Sequence, residues 1–174
     1  AIRFVDAHAD EPFFLFLNYY DAHAPLTPPP QYVQRYWNEP PPERGTQDEL
    51  RFRLAVYDAA IRYQDDQLGR LLDHLRRSGR YDDTWILVTA DHGELYGEND
   101  TWGHGESLSQ PEIRIPLVVK QPGAAARHAV DTRAVQQTDL MPTILDALGI
   151  PRPAGMQGMT LSDANHPIVA EVYP

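Results

Sequence analysis

Thr84-Trp85-Ile86-Leu87-Val88-Thr89-Ala90-Asp91-His92-Gly93-Glu94 decides the fold. Seven residues rich in β-branched and apolar side chains run without alternation into an acid, an imidazole and a glycine. A continuous apolar run of this length, bounded by turn formers, reads as a strand covered on both faces. Working outward, Pro12-Phe13-Phe14-Leu15-Phe16-Leu17-Asn18 has the same character and leads into Tyr19-Tyr20-Asp21-Ala22-His23. Ile113 to Lys120 predicts a third strand, with Pro116 placing it at an edge or a bulge. Between the first two lies the strongest helical pattern. Thr46 with Glu49 forms a capping box, and Leu50, Leu54, Tyr57, Ile61, Leu68, Leu71, Leu72 and Leu75 recur at helical spacing up to Gly79. A second helix is predicted from Thr138-Asp139 to Gly149, and a short one from the first residues to about Asp10. Pro25 to Pro42 reads as a long ordered loop carrying Tyr32, Tyr36 and Trp37. Strands alternating with helices predict an α/β fold with a mostly parallel sheet sandwiched by helices. In such sheets ligands collect at the carboxyl ends of the strands.

Composition narrows the function classes. The chain has 174 residues, 42% of them hydrophobic and 23% charged, enough for one core and too apolar for a disordered chain. A formal charge of −10, from 15 basic and 25 acidic residues, disfavours a nucleic-acid partner. No run approaches the roughly 20 apolar residues of a membrane helix, so the stretch is expected to be soluble. Cysteine is absent, which excludes disulfides, thiolate metal sites and a cysteine nucleophile within the chain.

Three histidine-bearing loops carry the candidate chemistry. Asp91 and His92, adjacent at a strand end, offer an oxygen and a nitrogen to one divalent cation; a capping aspartate beside a satisfied histidine fits that stretch equally well. His104, between Gly103 and Gly105, and His23, after the Pro12 to Asn18 run, could each be an ordinary loop residue, and their weight comes from joint placement. Trp37 and Trp102 are candidates for a substrate wall. Glu43, Asp65, Asp66, Asp82 and Asp83 read as solvated surface.

In these segments the sequence resembles the carboxyl-side half of a sulfatase of the alkaline phosphatase superfamily. The likeness rests on Pro12 to Pro29, Tyr57 to Leu72, Trp85 to Gly105 with Ile113 to Val119, and Thr138 to Ile150. It implies an alkaline-phosphatase-like sheet and hydrolysis of a small anionic ester. It also implies Asp91 and His92 as metal ligands, and His23 and His104 as catalytic groups touching the substrate's sulfuryl or phosphoryl oxygens. Sulfatases take their nucleophile from a formylglycine in a C/S-x-P-x-R motif, which has no match here. Ser109-Gln110-Pro111 is the nearest approach, and its Arg114 comes one place late. Residues 1–174 are therefore expected to be an incomplete catalytic domain whose amino-terminal part is missing, inactive alone, and self-associating through an exposed sheet edge. The cation is calcium, manganese or zinc, the nitrogen of His92 favouring the last two. The Gly103-His104-Gly105 loop also resembles phosphodiester and phosphonate hydrolases and phosphoethanolamine-type transferases. Sulfate and phosphate esters thus stay in competition, beside an inactive structural domain as the non-enzyme reading.

Overall fold

The computed structural model describes residues 1–123, 129–163 and 166–172. The chain divides into two compact units: Ala1–Trp85 with Lys120–Gly123, and Ile86–Val119 with Ala124–Pro174.

The first unit is built on one helix. Helix α1 (Ile2–Ala7) ends three residues before the expected Asp10, and α2 (Pro30–Val33) is a single turn inside the proline-rich stretch. Helix α3 (Gln47–Arg77) runs 31 residues. Thr46 caps it as predicted, its Oγ1 accepting the Glu49 N–H at 3.3 Å, while the Glu49 carboxylate turns to Gly45 N and to Arg53. Ala55, Ala59, Ala60, Leu71 and Leu75 form the buried stripe at i, i+4 spacing, whereas Leu54 and Ile61 face outward. Helix α2 is held on α3 by Tyr32, whose hydroxyl donates to Asp66 at 3.0 Å and whose ring meets Tyr63 edge-on at 5.2 Å. The turn after α3 is pinned by two cations. The Arg80 guanidinium donates to the carbonyls of His8, Ala9 and Glu11, and the Lys120 ammonium to those of Tyr81, Asp82 and Thr84.

The expected strand at Pro12 to Asn18 is corrected. This segment has no ladder partner among the described residues, and Phe14 and Phe16 are 64% and 79% exposed. A run apolar on both faces needs neighbouring strands and a covering layer on each side, and among the described residues this unit supplies neither.

The second unit carries four short strands: β1 (Ile86–Thr89), β2 (Leu95–Tyr96), β3 (Trp102–Gly103) and β4 (Leu117–Lys120). They make two two-stranded sheets, β1 with β4 and β2 with β3, so the sandwiched parallel sheet is present only in part. The β2/β3 ribbon is antiparallel, with Leu95 opposite Gly103 and Tyr96 opposite Trp102. The predicted third strand begins late: Gln110–Ile113 forms a helical turn, α4, and pairing starts only after Pro116, whose missing N–H cannot join a ladder.

Helix α5 (Leu140–Ala147) follows a 3₁₀ turn at Gln137–Asp139. Asp139, fully buried, accepts from the N–H groups of Gln136 and Met159 and pairs with His166 Nε2 at 3.0 Å, tying the chain after α5 back to the start of that helix. No helix among the described residues is long and apolar enough to cross a membrane.

The two faces of α3 should respond differently to truncation. Leu71→Ala, in the buried stripe, is expected to cost about 2–5 kcal/mol, and Leu54→Ala, on the outward face, less than about 0.5 kcal/mol. Urea unfolding of the two variants checks this, and equal losses would contradict the assigned face.

Candidate active site

Strand β1 delivers the chain into the Asp91–Glu94 turn, and the turn is held from two sides. The Gln137 side-chain amide donates to the carbonyls of Ala90 and Asp91, at 3.0 and 2.5 Å. On the other side Gly93 N–H donates to Glu112 O at 2.7 Å. That approach is so close that a methyl group at position 93 would overlap the Pro111 carbonyl. Only glycine fits there, for lack of space.

Within the turn the first two side chains are oriented by the backbone. Asp91 Oδ1 accepts the His92 N–H at 3.1 Å, and Oδ2 lies 3.8 Å from His92 Nε2. His92 Nδ1 lies 2.7 Å from the Gly93 carbonyl. A carbonyl only accepts, so Nδ1 carries the proton, and the lone pair of the neutral ring sits on Nε2, on the side of Asp91. Metal-binding histidines commonly give their second N–H to a backbone carbonyl in this way. With metal–ligand bonds of about 2.0–2.2 Å, donors 3.8 Å apart can share one cation, so the pair fits a divalent ion. The Asp91 side chain is 89% exposed, leaving its oxygens within reach of further ligands.

The β2/β3 ribbon brings His104 back to this turn. Its ring stacks on His92 with centroids 3.9 Å apart and planes at 27°. Gly103 and Gly105 adopt φ of +87° and +90°, left-handed conformations that β-carbon-bearing residues rarely take. Their identity therefore follows from the backbone path that turns His104 toward His92. Two carboxylates hold this path. Glu94 Oε2 accepts His104 Nδ1–H at 3.2 Å, and Glu112, only 6% exposed, accepts the Gly105 N–H and, at 2.7 Å, the Ser107 hydroxyl. These bonds, the Ser107 hydroxyl first and Gly105 N–H next, hold the Glu112 carboxyl below the ordinary glutamate range.

Of the four residues picked from the sequence, Asp91, His92 and His104 meet in the second unit. His23 belongs to the first, where Nδ1 donates to Ala24 O at 2.6 Å and the ring stacks on Tyr20 at 4.4 Å. Trp102 stays half-exposed beside Tyr96. Trp37, in the first unit, meets Phe52 of α3 edge-on at 5.6 Å and donates to Pro40 O. Sequence reasoning missed Glu94, Glu112 and Gln137 as supports. Only Glu94 had a signal, adjacency to Asp91-His92; Glu112 holds Gly105 and Ser107 across an irregular loop with no pattern to mark it, and Gln137 acts from more than 40 residues away.

Gly93→Ala is expected to cost about 1–3 kcal/mol and to displace His92, seen as a lower unfolding midpoint and shifted histidine NMR signals. Glu112 gives a pH test. Because its carboxyl is depressed in the fold, its contribution is complete above the unfolded value and is lost as pH falls through the lower folded one. Wild-type stability should therefore drop more steeply than that of Glu112→Gln below about pH 4.3, the unfolded glutamate value. Parallel pH profiles would rule this out.

Comparison with known proteins places this geometry in a family. The sulfatase family model matches residues 1–150. An uncharacterized sulfatase, YidJ, of Escherichia coli K12 is 29% identical over 92% of this chain and 36% of its own length. The solved structure of yidJ from Bacteroides fragilis superposes with a TM-score of 0.79 at 25% identity, over 93% of this chain and 38% of that one. A phosphonate monoester hydrolase from Silicibacter pomeroyi is 32% identical with a TM-score of 0.62, over 88% of this chain and 31% of that one. The chain thus spans between 31% and 38% of the length of these proteins, and its fold is alkaline-phosphatase-like α/β. With that match over most of its length, the chain belongs to the sulfatase family.

Proposed function

We propose that these 174 residues are the carboxyl-side portion of a metal-dependent sulfate-ester hydrolase. In this reading Asp91 and His92 hold a divalent cation, and His104 and His23 engage the oxygens of the sulfuryl group. The observation that carries it is the grouping at the Asp91–Glu94 turn: Asp91 Oδ2 lies 3.8 Å from His92 Nε2, and the His104 ring stacks 3.9 Å from that of His92. Family membership supports sulfate-ester chemistry in general. The role of His23 is supported by the likeness of Pro12 to Pro29 to the corresponding sulfatase stretch.

The bound cation would supply charge neutralisation at the sulfuryl oxygens, and a carboxylate beside an imidazole nitrogen suits manganese or zinc better than calcium. With Nδ1–H of His104 given to Glu94 and that of His23 to Ala24 O, it is the imidazolium form of each ring that donates Nε2–H to oxygens on which negative charge grows during transfer. One imidazolium passes that proton to the departing alkoxide and returns to the neutral ring. Two protein donors hold a hard cation weakly, since such ions take about six ligands. The remaining ligands and the nucleophile, a formylglycine in this family, are proposed to come from the rest of the domain.

A phosphonate or phosphodiester hydrolase is the second reading, favoured by the 32% identity to a phosphonate monoester hydrolase. Full-length protein, stripped with a chelator and reloaded with manganese, zinc or calcium, separates the two on p-nitrophenyl sulfate and p-nitrophenyl phenylphosphonate. Sulfate turnover is expected to dominate, to vanish on chelation and to return with manganese or zinc, while residues 1–174 alone stay inactive. His104→Ala should lower kcat by about 10²–10⁴-fold, and Asp91→Ala should raise the metal concentration required. Preference for the phosphonate ester would transfer the assignment to the second reading, and hydrolysis of neither would end both.

A further inference from the structure

The glycines that flank His104 free its backbone, and they also leave its ring without neighbours in sequence to fix its orientation. Contacts must do so. Stacking on His92 defines the plane of the ring but not which nitrogen faces outward, because a ring flipped by 180° stacks equally well. The Glu94 carboxylate makes that distinction. Its Oε2 lies 3.2 Å from His104 Nδ1, and its side chain is only 15% exposed. A carboxylate is acceptor-only, so the nitrogen facing it must carry a proton. The hydrogen bonds of the other nearby carboxylate, Glu112, go to the Gly105 N–H and the Ser107 hydroxyl, and the carboxylate bonded to His104 Nδ1 is that of Glu94.

We infer that Glu94 is a positioning residue: it holds the Nδ1 proton of His104, so that the ring presents Nε2 and no other atom to the ester. The role rests on the hydrolase reading above only for its consequence in catalysis; the hold on the ring stands apart from it. A histidine flipped the other way would turn the wrong nitrogen to the reacting oxygen, and such outer supports commonly contribute 10–100-fold. The β2/β3 ribbon keeps the partners together, because Leu95 opposite Gly103 sets Glu94 across from His104.

The test uses full-length protein labelled with ¹⁵N-histidine, the His104 signals being assigned from their loss in His104→Gln. In the wild type the neutral ring should show a protonated Nδ1 and an unprotonated Nε2. Glu94→Gln, whose amide oxygen still accepts, should keep that pattern and most of the turnover. Glu94→Ala should mix the tautomers and lower kcat on p-nitrophenyl sulfate by about 10–100-fold with KM within about twofold. An unchanged His104 pattern in Glu94→Ala overturns the inference whatever the activity, and so does a changed pattern with unchanged kcat. If Glu94→Ala does not fold, loss of the protonated Nδ1 signal in the folded Glu94→Gln protein overturns it. Absence of turnover in the wild type would sink the hydrolase reading alone, and the tautomer pattern would still decide the hold of Glu94 on the ring.

Discussion

The candidate site depends on one steric constraint, the contact between the Asp91–Glu94 turn and the Pro111–Glu112 backbone. Gly93 donates its N–H to Glu112 O across a gap too narrow for a methyl group, and the Asp91 and His92 side chains are aimed by what that contact permits. A hydrogen bond is worth about 1 kcal/mol net. Here its larger effect is geometric, because it joins two separate stretches of chain, one bearing Asp91 and His92 and the other the carboxylate that shapes the His104 loop.

Carboxylates dominate the supports in an acidic chain that handles, in the proposed function, an anionic ester. The conflict resolves at the level of individual groups. Glu112 spends its charge on a backbone N–H and a hydroxyl, and Glu94 on an imidazole N–H. Each is turned toward a donor of the fold. A net charge of −10 therefore says little about the field inside the site, which oriented dipoles and local donors determine.

The first unit follows a different logic. Its long helix is held at the amino end by Thr46, and the turn beyond it by two side-chain cations collecting three carbonyls each. Arg80 and Lys120 satisfy acceptors that a turn without secondary structure would otherwise leave to water. The Phe14 and Phe16 side chains, exposed on an unpaired extended segment, have the composition of a sheet interior without its neighbours.

Local rules wrote much of this molecule into its sequence. The capped helix from Gln47, the strand after Thr84, the helix after Asp139 and the Asp91-His92 pair at a strand end could all be read there. Each depends on propensity, periodicity or capping within a few residues. What the sequence could not reveal are relations between segments apart in the chain: the stacking of His104 on His92, the seat of Gly93 on the Pro111–Glu112 backbone, and the bonds from Gln137 to Ala90 and Asp91. Pro12 to Asn18 marks the boundary between the two kinds of information. Its apolar pattern is that of a strand, but pairing belongs to two segments at once, and only the tertiary structure decides whether the second is there.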